Sequence, residues 1–239
     1  MSSDWERLHA LPLPGADGCW KACGGYCCGN FNGTGAGSSV VVPFFPGEYE
    51  AYARAPIIEG TKVSHKRFPM PDGRALQVDF LHCQCNGLCD PHASRPLVCK
   101  IYPYFPRCDD DGNLTGVDAC SLADIYFEGV CGQRKCAIHD PETALGDERL
   151  QAVFLALAQE PCNLLYLRLA ALIREHLRAA LADFPRNPAP ALAGKQFAKF
   201  NMMLFSQAPW RTAAFRNDFN TLYNSLLRRF GPTILHEGS

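Results

Sequence analysis

An α+β fold is predicted by three features of the sequence: where the cysteines lie, how the amino-terminal segments are interrupted, and how the carboxy-terminal segments repeat. Twelve of the thirteen cysteines lie between Cys19 and Cys136. Segments before residue 140 are short and broken by Gly and Pro, whereas apolar residues recur at helical spacing beyond residue 147. We therefore expect an irregular, cysteine-rich part with few short strands at residues 1–140. A mainly helical region at residues 141–239 is expected to pack on it.

The strands expected in the amino-terminal part are short. Residues 40–42 are three valines that predict a brief strand, and residues 48–54 have a helix-forming composition. The sequence PDGR at residues 71–74 predicts a turn that joins two strands, at residues 63–68 and 75–81. The segments at residues 83–140 are short and interrupted, and few of them show a periodic apolar face, so they are expected to take their shape from whatever the cysteines hold.

The helices expected in the carboxy-terminal part have recognisable ends. Asp147 is a suitable N-cap for a helix up to about residue 159, and Pro161 fits the first turn of a helix up to about residue 183. Residues 184–194, FPRNPAPALAG, are interpreted as a linker. A last helix is expected at residues 211–230, where phenylalanines and leucines recur at helical spacing before a Gly-Pro stop.

Composition and charge restrict the classes of function. At 239 residues and 47% hydrophobic, the chain can bury a sizeable core without disulfides. A formal net charge of −1 argues against bulk capture of nucleic acid, and no apolar stretch approaches the ~18 residues of a membrane span. The first residues lack the basic end and apolar run of a signal peptide, so a cytoplasmic protein with neither a nucleic-acid nor a membrane partner is expected. In a reducing compartment a cysteine cluster more often binds metal than forms disulfides.

The cysteines fall into three groups along the chain. The first group is compact, and its adjacent pair is expected to serve different sites, or to have one member that only packs, because neighbouring residues rarely turn both side chains onto one ion. The second group contains an Asn-Gly turn, and the third is looser. In order, the candidate metal ligands are Cys19, Cys23, Cys27 and Cys28; Cys83, Cys85, Cys89 and Cys99; and Cys120, Cys131 and Cys136, with Cys108 a weaker member of the third group.

Three other side chains are candidates for the surroundings of a metal centre. Arg95 could offset the negative charge of thiolate ligands or bind a carboxylate, or it could simply brace a loop. His82 could be an extra ligand or carry a proton. Tyr102 belongs to a Tyr- and Pro-rich stretch that could pack over the thiols and exclude water.

The cysteine spacings favour an iron–sulfur cluster over a zinc site. Zinc knuckles usually present Cys-x-x-Cys pairs, and the sequence contains none. Iron–sulfur clusters tolerate irregular spacing and ligands from distant segments. We therefore expect one or two iron–sulfur clusters as the cofactor, with zinc as the alternative, and an amino-terminal part that is organised by the metal.

These motifs resemble a known family. Cys19-Cys23-Cys27-Cys28, the segment VVVPFFPGEYE, and the element C-x5-RP-x2-C-x2-YP that runs from Cys89 are similar to the YkgJ-like cysteine-cluster family, described as a zinc- or iron-chelating domain. The resemblance covers about residues 15–106. It implies that the cysteines of the first group, Cys89 and Cys99 are ligands, with Cys83 or Cys85 next. The gaps in the first group are three residues, where the family's CxxCxxCC signature has two. Flagellin lysine N-methylase looks like a distant relative with a comparable iron–sulfur cluster.

Three functions are compatible with these features. The first is a metal-cluster protein whose centre performs chemistry on a small molecule or protein, such as an iron–sulfur-dependent oxidoreductase or a methyltransferase-like enzyme. The second is a non-catalytic interaction module that zinc staples together. The third is a thiol redox or metal-trafficking protein. The sequence does not specify a substrate.

Overall fold

The computed structural model describes residues 5–11, 13, 25–28, 40–54, 61–83, 94–132, 136 and 140–235. Strands and helices both occur, and helices dominate the carboxy-terminal half, so the predicted α+β class is confirmed. The strands are β1 Val40–Pro43, β2 Thr61–Pro69, β3 Ala75–Cys83, β4 Tyr104–Cys108 and β5 Leu114–Ala119. The helices are α1 Trp5–Ala10, α2 Glu48–Tyr52, α3 Leu97–Ile101, α4 Leu122–Cys131, α5 Pro141–Gly146, α6 Glu148–Ala158, α7 Pro161–Leu181, α8 Pro190–Ser206 and α9 Ala213–Phe230. Single 3-10 turns occur at Tyr26–Cys28, Pro209–Arg211 and Gly231–Ile234.

The larger sheet is antiparallel, with β3 in the centre between β1 and β2. The predicted turn between β2 and β3 is confirmed: Met70 N–H donates to the Arg74 carbonyl at 2.8 Å, and Gly73 between them has φ +86°. That left-handed conformation favours glycine. Cys83 is the last residue of β3 and stands opposite both Val40 and Thr61, so the sheet fixes the position of this thiol.

Three carboxy-terminal helices were correctly predicted from local signals. The Asp147 side chain accepts hydrogen bonds from the backbone N–H groups of Arg149 and Leu150 at the start of α6. Pro161 lies in the first turn of α7, and α9 ends at Gly231, whose φ is +60°. None of the helices in the described ranges is long and apolar enough to cross a membrane.

The linker predicted at residues 184–194 is partly wrong, because α8 begins at Pro190 and continues to Ser206. This helix is stabilised by aromatic contacts with a distant element. The ring of Phe200 lies 4.8 Å from that of Tyr126, and the ring of Phe197 lies 5.4 Å from it. Such contacts leave no signal in the local sequence, where proline and alanine alternate.

The segment at residues 83–140 is more regular than its sequence predicted. The β4–β5 hairpin turns through Asp109, whose carboxylate accepts hydrogen bonds from Asp111 N–H and Asn113 N–H, both at 2.9 Å. Helix α4 then begins with a capping box, in which Ser121 and Asp124 each accept a hydrogen bond from the other's backbone N–H.

The main hydrophobic core contains residues from both sides of the boundary predicted at residue 140. Phe45 and Leu97 belong to it together with Leu157 and Tyr223. A second cluster joins α4 to the end of α7 and to α8. The division into residues 1–140 and 141–239 stays a prediction.

Candidate functional site

A cavity of about 640 Å³ lies between the larger sheet, α7 and α9, and five cysteines line it. We call it the thiol cavity. The cysteines come from four separate segments of the chain, and the Sγ atoms of the adjacent pair are 3.9 Å apart. They are Cys27, Cys28, Cys83, Cys99 and Cys120. Residues far apart in sequence therefore bring sulfur to one cavity.

Glu48 fixes the position of the helix that carries Cys99. Its side chain is fully buried, and its carboxylate accepts a hydrogen bond from Leu97 N–H at 2.6 Å, at the start of α3. The same carboxylate accepts from Phe45 N–H at 2.9 Å. A charged acceptor holding two buried backbone donors ties the segment after β1 to the segment that carries the thiol.

Cys120 is positioned by the end of the β4–β5 hairpin. It follows β5 directly, and its N–H donates to the Pro103 carbonyl at 3.0 Å. Its own carbonyl accepts a hydrogen bond from Arg174 of α7 at 2.7 Å. Burial raises the pKa of the Cys120 thiol to about 12, although the Arg174 charge acts in the opposite direction.

The electrostatics of Cys99 connect it to three of the other thiols. Burial is the main cause that raises its pKa well above the ordinary value, and Cys28 raises it next. Cys120 and Cys83 act in the same direction, whereas the positive charge of Arg95 lowers it. The thiols therefore lie close enough to oppose one another's ionisation, and only added positive charge relieves that opposition.

Arg95 and Tyr102, two of the predicted neighbours of the thiols, both line the thiol cavity. The Tyr102 hydroxyl donates to the carboxylate of Asp124, with its shorter contact at 3.0 Å. Burial raises the pKa of Tyr102, and the Asp124 charge raises it further. Tyr102 therefore stays protonated near neutral pH and acts here as a hydrogen-bond donor.

Three other predicted residues, His82, Cys131 and Cys136, do not line the thiol cavity. His82 is not among the residues that line the thiol cavity, and its Nε2 lies 2.7 Å from Ser64 Oγ. Cys131 packs against the second hydrophobic cluster, and its neighbour Tyr126 has its pKa raised by burial and then by this thiol. Cys136 contributes to the raised pKa of Tyr102 but is also absent from the cavity lining. For all three, the predicted metal or cofactor role stays a prediction.

The predicted ligands Cys19, Cys23, Cys85 and Cys89 lie outside the described residues. Within the ranges that are described, no three His, Cys, Asp or Glu side chains are placed together so as to hold a metal ion. Nor does a disulfide join any two of the described cysteines.

Three buried charged residues of this region were missed by sequence analysis: Glu48, Asp124 and Arg174. Asp124 could have been found, because Ser-x-x-Asp before an apolar run resembles a capping box. Arg174 is a lone charge within the apolar stripe of α7, where the stripe is interrupted. For Glu48 the local sequence gives no signal, since its backbone partners at α3 lie 49 residues away.

The residue types that line the thiol cavity have the chemistry of a metal site that prefers sulfur, although no three donors in the described ranges are spaced to hold an ion. Thiolates are the ligands of iron–sulfur clusters and of structural zinc, and the described lining offers five cysteines. Burial is the main cause of the raised pKa of Cys99, and a bound cation would displace the thiol proton and offset the smaller contribution of the neighbouring thiols.

Comparisons of the chain with protein-family models, with curated proteins and with solved structures found no match. The fold and the site are therefore interpreted from this chain's own residues, and the YkgJ-like resemblance stays a prediction.

Proposed function

We propose that this chain binds an iron–sulfur cluster through cysteine thiolates at the thiol cavity, and that the centre acts on a small molecule or protein that reaches the cavity. The observation that carries the proposal is the arrival of five cysteines, from four separate segments, at the lining of one cavity. Two other cysteines, Cys108 and Cys162, are buried in the main core and are absent from the lining. The concentration of thiols at the cavity is therefore not a general property of the buried cysteines.

Two further observations support iron–sulfur over zinc and over reversible thiol chemistry. The ligand candidates have irregular spacing and come from distant segments, which iron–sulfur sites tolerate and zinc knuckles do not. The site is also largely apolar apart from its thiols and a few charged side chains, and a shell of that kind controls the redox potential of a centre. Thiols stay reduced in the cytoplasm, and the described cysteines are free thiols, so we propose a cytoplasmic protein.

The resemblance to the YkgJ-like family receives support from Glu48. This residue belongs to VVVPFFPGEYE, and its carboxylate binds Leu97 N–H within the RP-x2-C element. Two of the motifs that carry the resemblance are thus in contact in the fold. We propose that they form one unit whose purpose is to position Cys99.

The test is metal analysis of protein purified without oxygen. We expect iron and inorganic sulfide in stoichiometric amounts, absorption near ~400 nm, and a Mössbauer spectrum of a cluster. Cys28→Ala and Cys99→Ala should each lose most of the iron. Cys108→Ala is the control, because this thiol is more deeply buried than Cys28 and Cys99 but lies in the core outside the cavity lining, and it should keep the wild-type iron content.

Three results would contradict the proposal. A colourless protein with stoichiometric zinc would favour the stapled interaction module. Protein without metal whose thiol count changes reversibly with redox buffer would favour the thiol redox alternative. Equal iron loss in Cys108→Ala and Cys99→Ala would mean that the metal depends on folding in general and not on the thiol cavity.

A further inference from the structure

Arg174 is a buried cation without an ion-pair partner in the described part of the chain. Its side chain is on α7, only 5% of the residue is exposed, and it lines the thiol cavity. Across the described residues, no Asp or Glu oxygen forms an ion pair with its guanidinium within 4 Å. The nearby acid, Asp118, is held by Arg178 through both of its carboxylate oxygens. A buried charge is normally paired, so this arrangement requires an explanation.

The contacts that Arg174 does make fix its orientation but leave it charged. Three nitrogens of the guanidinium donate to backbone carbonyls, those of Ala119 at 3.1 Å, Ala170 at 2.9 Å and Cys120 at 2.7 Å. The group also stacks on the Phe105 ring, 3.9 Å from its centre. These contacts use three of five N–H donors and supply only partial negative charge. Two donors are left for an anion at this position.

Away from its thiols, arginines and hydroxyl groups, the cavity lining is mainly apolar. Apolar side chains come from β3 and from the helices α7 and α9. They include Leu76, Val78, Phe80, Ile173, Phe215 and Phe219. A volume of about 640 Å³, mainly apolar walls and a few polar groups are the usual features of a small-molecule site.

We propose that the thiol cavity binds an amphipathic monocarboxylate, with its apolar body between β3 and the helices α7 and α9, and its carboxylate on Arg174 beside Cys120. The fixed, forked guanidinium matches two carboxylate oxygens, and the anion supplies the direct ion pair that the described residues do not, since Asp118 is held by Arg178. The proposal goes beyond the metal centre and does not depend on it, because it stands on the cavity walls and on Arg174. An alkyl and an aryl acid share this chemistry, so both are tested.

The first experiment compares acids with their matched alcohols on the wild-type protein by isothermal titration calorimetry. The pairs are decanoate with 1-decanol, and 2-naphthoate with 2-naphthalenemethanol. Each pair shares its apolar body and differs in the anionic group. We expect at least one acid to bind about ten- to a hundredfold more tightly than its alcohol, which corresponds to a charge-assisted hydrogen bond. The pair with the larger ratio of acid affinity to alcohol affinity shows whether the ligand is an alkyl or an aryl acid.

Variants locate the binding. Arg174→Met should remove the preference for the acid while leaving the alcohol affinity within about twofold. Arg168→Met is the matched control on the same helix, because Arg168 pairs with Asp110 at 2.8 Å outside the cavity, and it should bind as wild type does. Ala170→Phe fills the cavity from α7 and should abolish binding of both members of a pair. If Arg174→Met does not fold, this variant still tests whether the cavity is the binding site.

The proposal is overturned if neither acid binds more tightly than its alcohol, or if Ala170→Phe binds both members of a pair as well as wild type does. Iron and sulfide are measured in the same samples. Metal-free protein that still prefers the acid would contradict the iron–sulfur proposal alone, whereas iron-loaded protein without that preference would contradict only the carboxylate site.

Discussion

The thiol-bearing segments and the carboxy-terminal helices are held by different kinds of contact. Around the thiols, buried charged side chains bind backbone groups: Glu48 accepts from two N–H groups, and Arg174 of α7 donates to two carbonyls, those of Ala119 and Cys120. In the helices, the buried contacts are mainly between apolar side chains such as Leu157 and Leu165, both completely buried. Segments without a periodic apolar face are fixed here by hydrogen bonds between their backbone groups and a distant charged side chain.

This difference has an energetic consequence. Removal of a buried acceptor leaves backbone donors without partners, and each such donor costs about 1 to 3 kcal/mol. Removal of a buried leucine side chain costs its transfer free energy plus a cavity, and the neighbours can relax toward the gap. A substitution in the thiol-bearing segments should therefore lower the free energy of unfolding more than one in the helices, and it should also disturb the thiols. A substitution in the helices should lower the free energy of unfolding only.

The largest effect is expected for Glu48→Ala. The change leaves the N–H groups of Phe45 and Leu97 without their acceptor, so the free energy of unfolding should fall by about 3 to 5 kcal/mol. The measurement is urea unfolding followed by circular dichroism. Glu50→Ala, an exposed position on the same helix, is the control and should change stability by less than about 0.5 kcal/mol. Similar losses of unfolding free energy in Glu48→Ala and Glu50→Ala would contradict the difference between the thiol-bearing segments and the helices.

A somewhat smaller effect is expected for Leu157→Ala in α6. This side chain is completely buried in the main core, so its truncation should lower the free energy of unfolding by about 3 kcal/mol. Leu155→Ala on the same helix is the control, because Leu155 is 39% exposed, and it should cost less than about 1 kcal/mol. Metal content per folded molecule should equal that of wild type in Leu157→Ala and be reduced in Glu48→Ala. The comparison fails if both variants lose metal alike.

The contrast between the regions also explains what the sequence could predict. Helices α6, α7 and α9 were found because their caps and stripes are local: Asp147 precedes α6, Pro161 starts α7 and Gly231 ends α9. Helix α8 was missed because its buried Phe200 packs on Tyr126, 74 positions earlier in the chain, and such a contact has no local signature. The β2–β3 hairpin was found because its turn residues are characteristic.

At the thiol cavity, residue type and fold contribute different information. Residue type alone made Cys28, Cys99 and Cys120 candidates, because sulfur is a chemically specific donor, and all three line the cavity. It could not identify Glu48 or Arg174, since a buried charge has the same letter as an exposed one and only the fold determines its partners. Candidate ligands can therefore be chosen from residue type, whereas the side chains that position them depend on contacts made across the chain.

The smallest effect is expected at the N-cap of α6, where stability comes from a local polar contact. The Arg149 side chain, which donates to the Asp147 carboxylate at 2.8 Å, is the main cause that lowers the pKa of Asp147; the N–H groups of Leu150 and Arg149 add to it, against an opposing effect of burial. Asp147→Ala should therefore cost about 1 kcal/mol at pH 7.

The sign of the pH dependence follows from that lowered pKa. The carboxylate stabilises the fold fully above the unfolded-state pKa of about 3.9, and this contribution is lost as the pH falls through the lower folded-state value. The difference between wild type and Asp147→Ala should therefore shrink between pH 5 and pH 3, as measured by urea unfolding. Asp147→Asn keeps a capping oxygen but cannot ionise, so it should exceed Asp147→Ala in stability by an amount that does not change over this range. A wild-type advantage over Asp147→Ala that is equal at both pH values would show that the cap acts through hydrogen bonding alone, and that the charge of this carboxylate contributes nothing to the stability of the helical region.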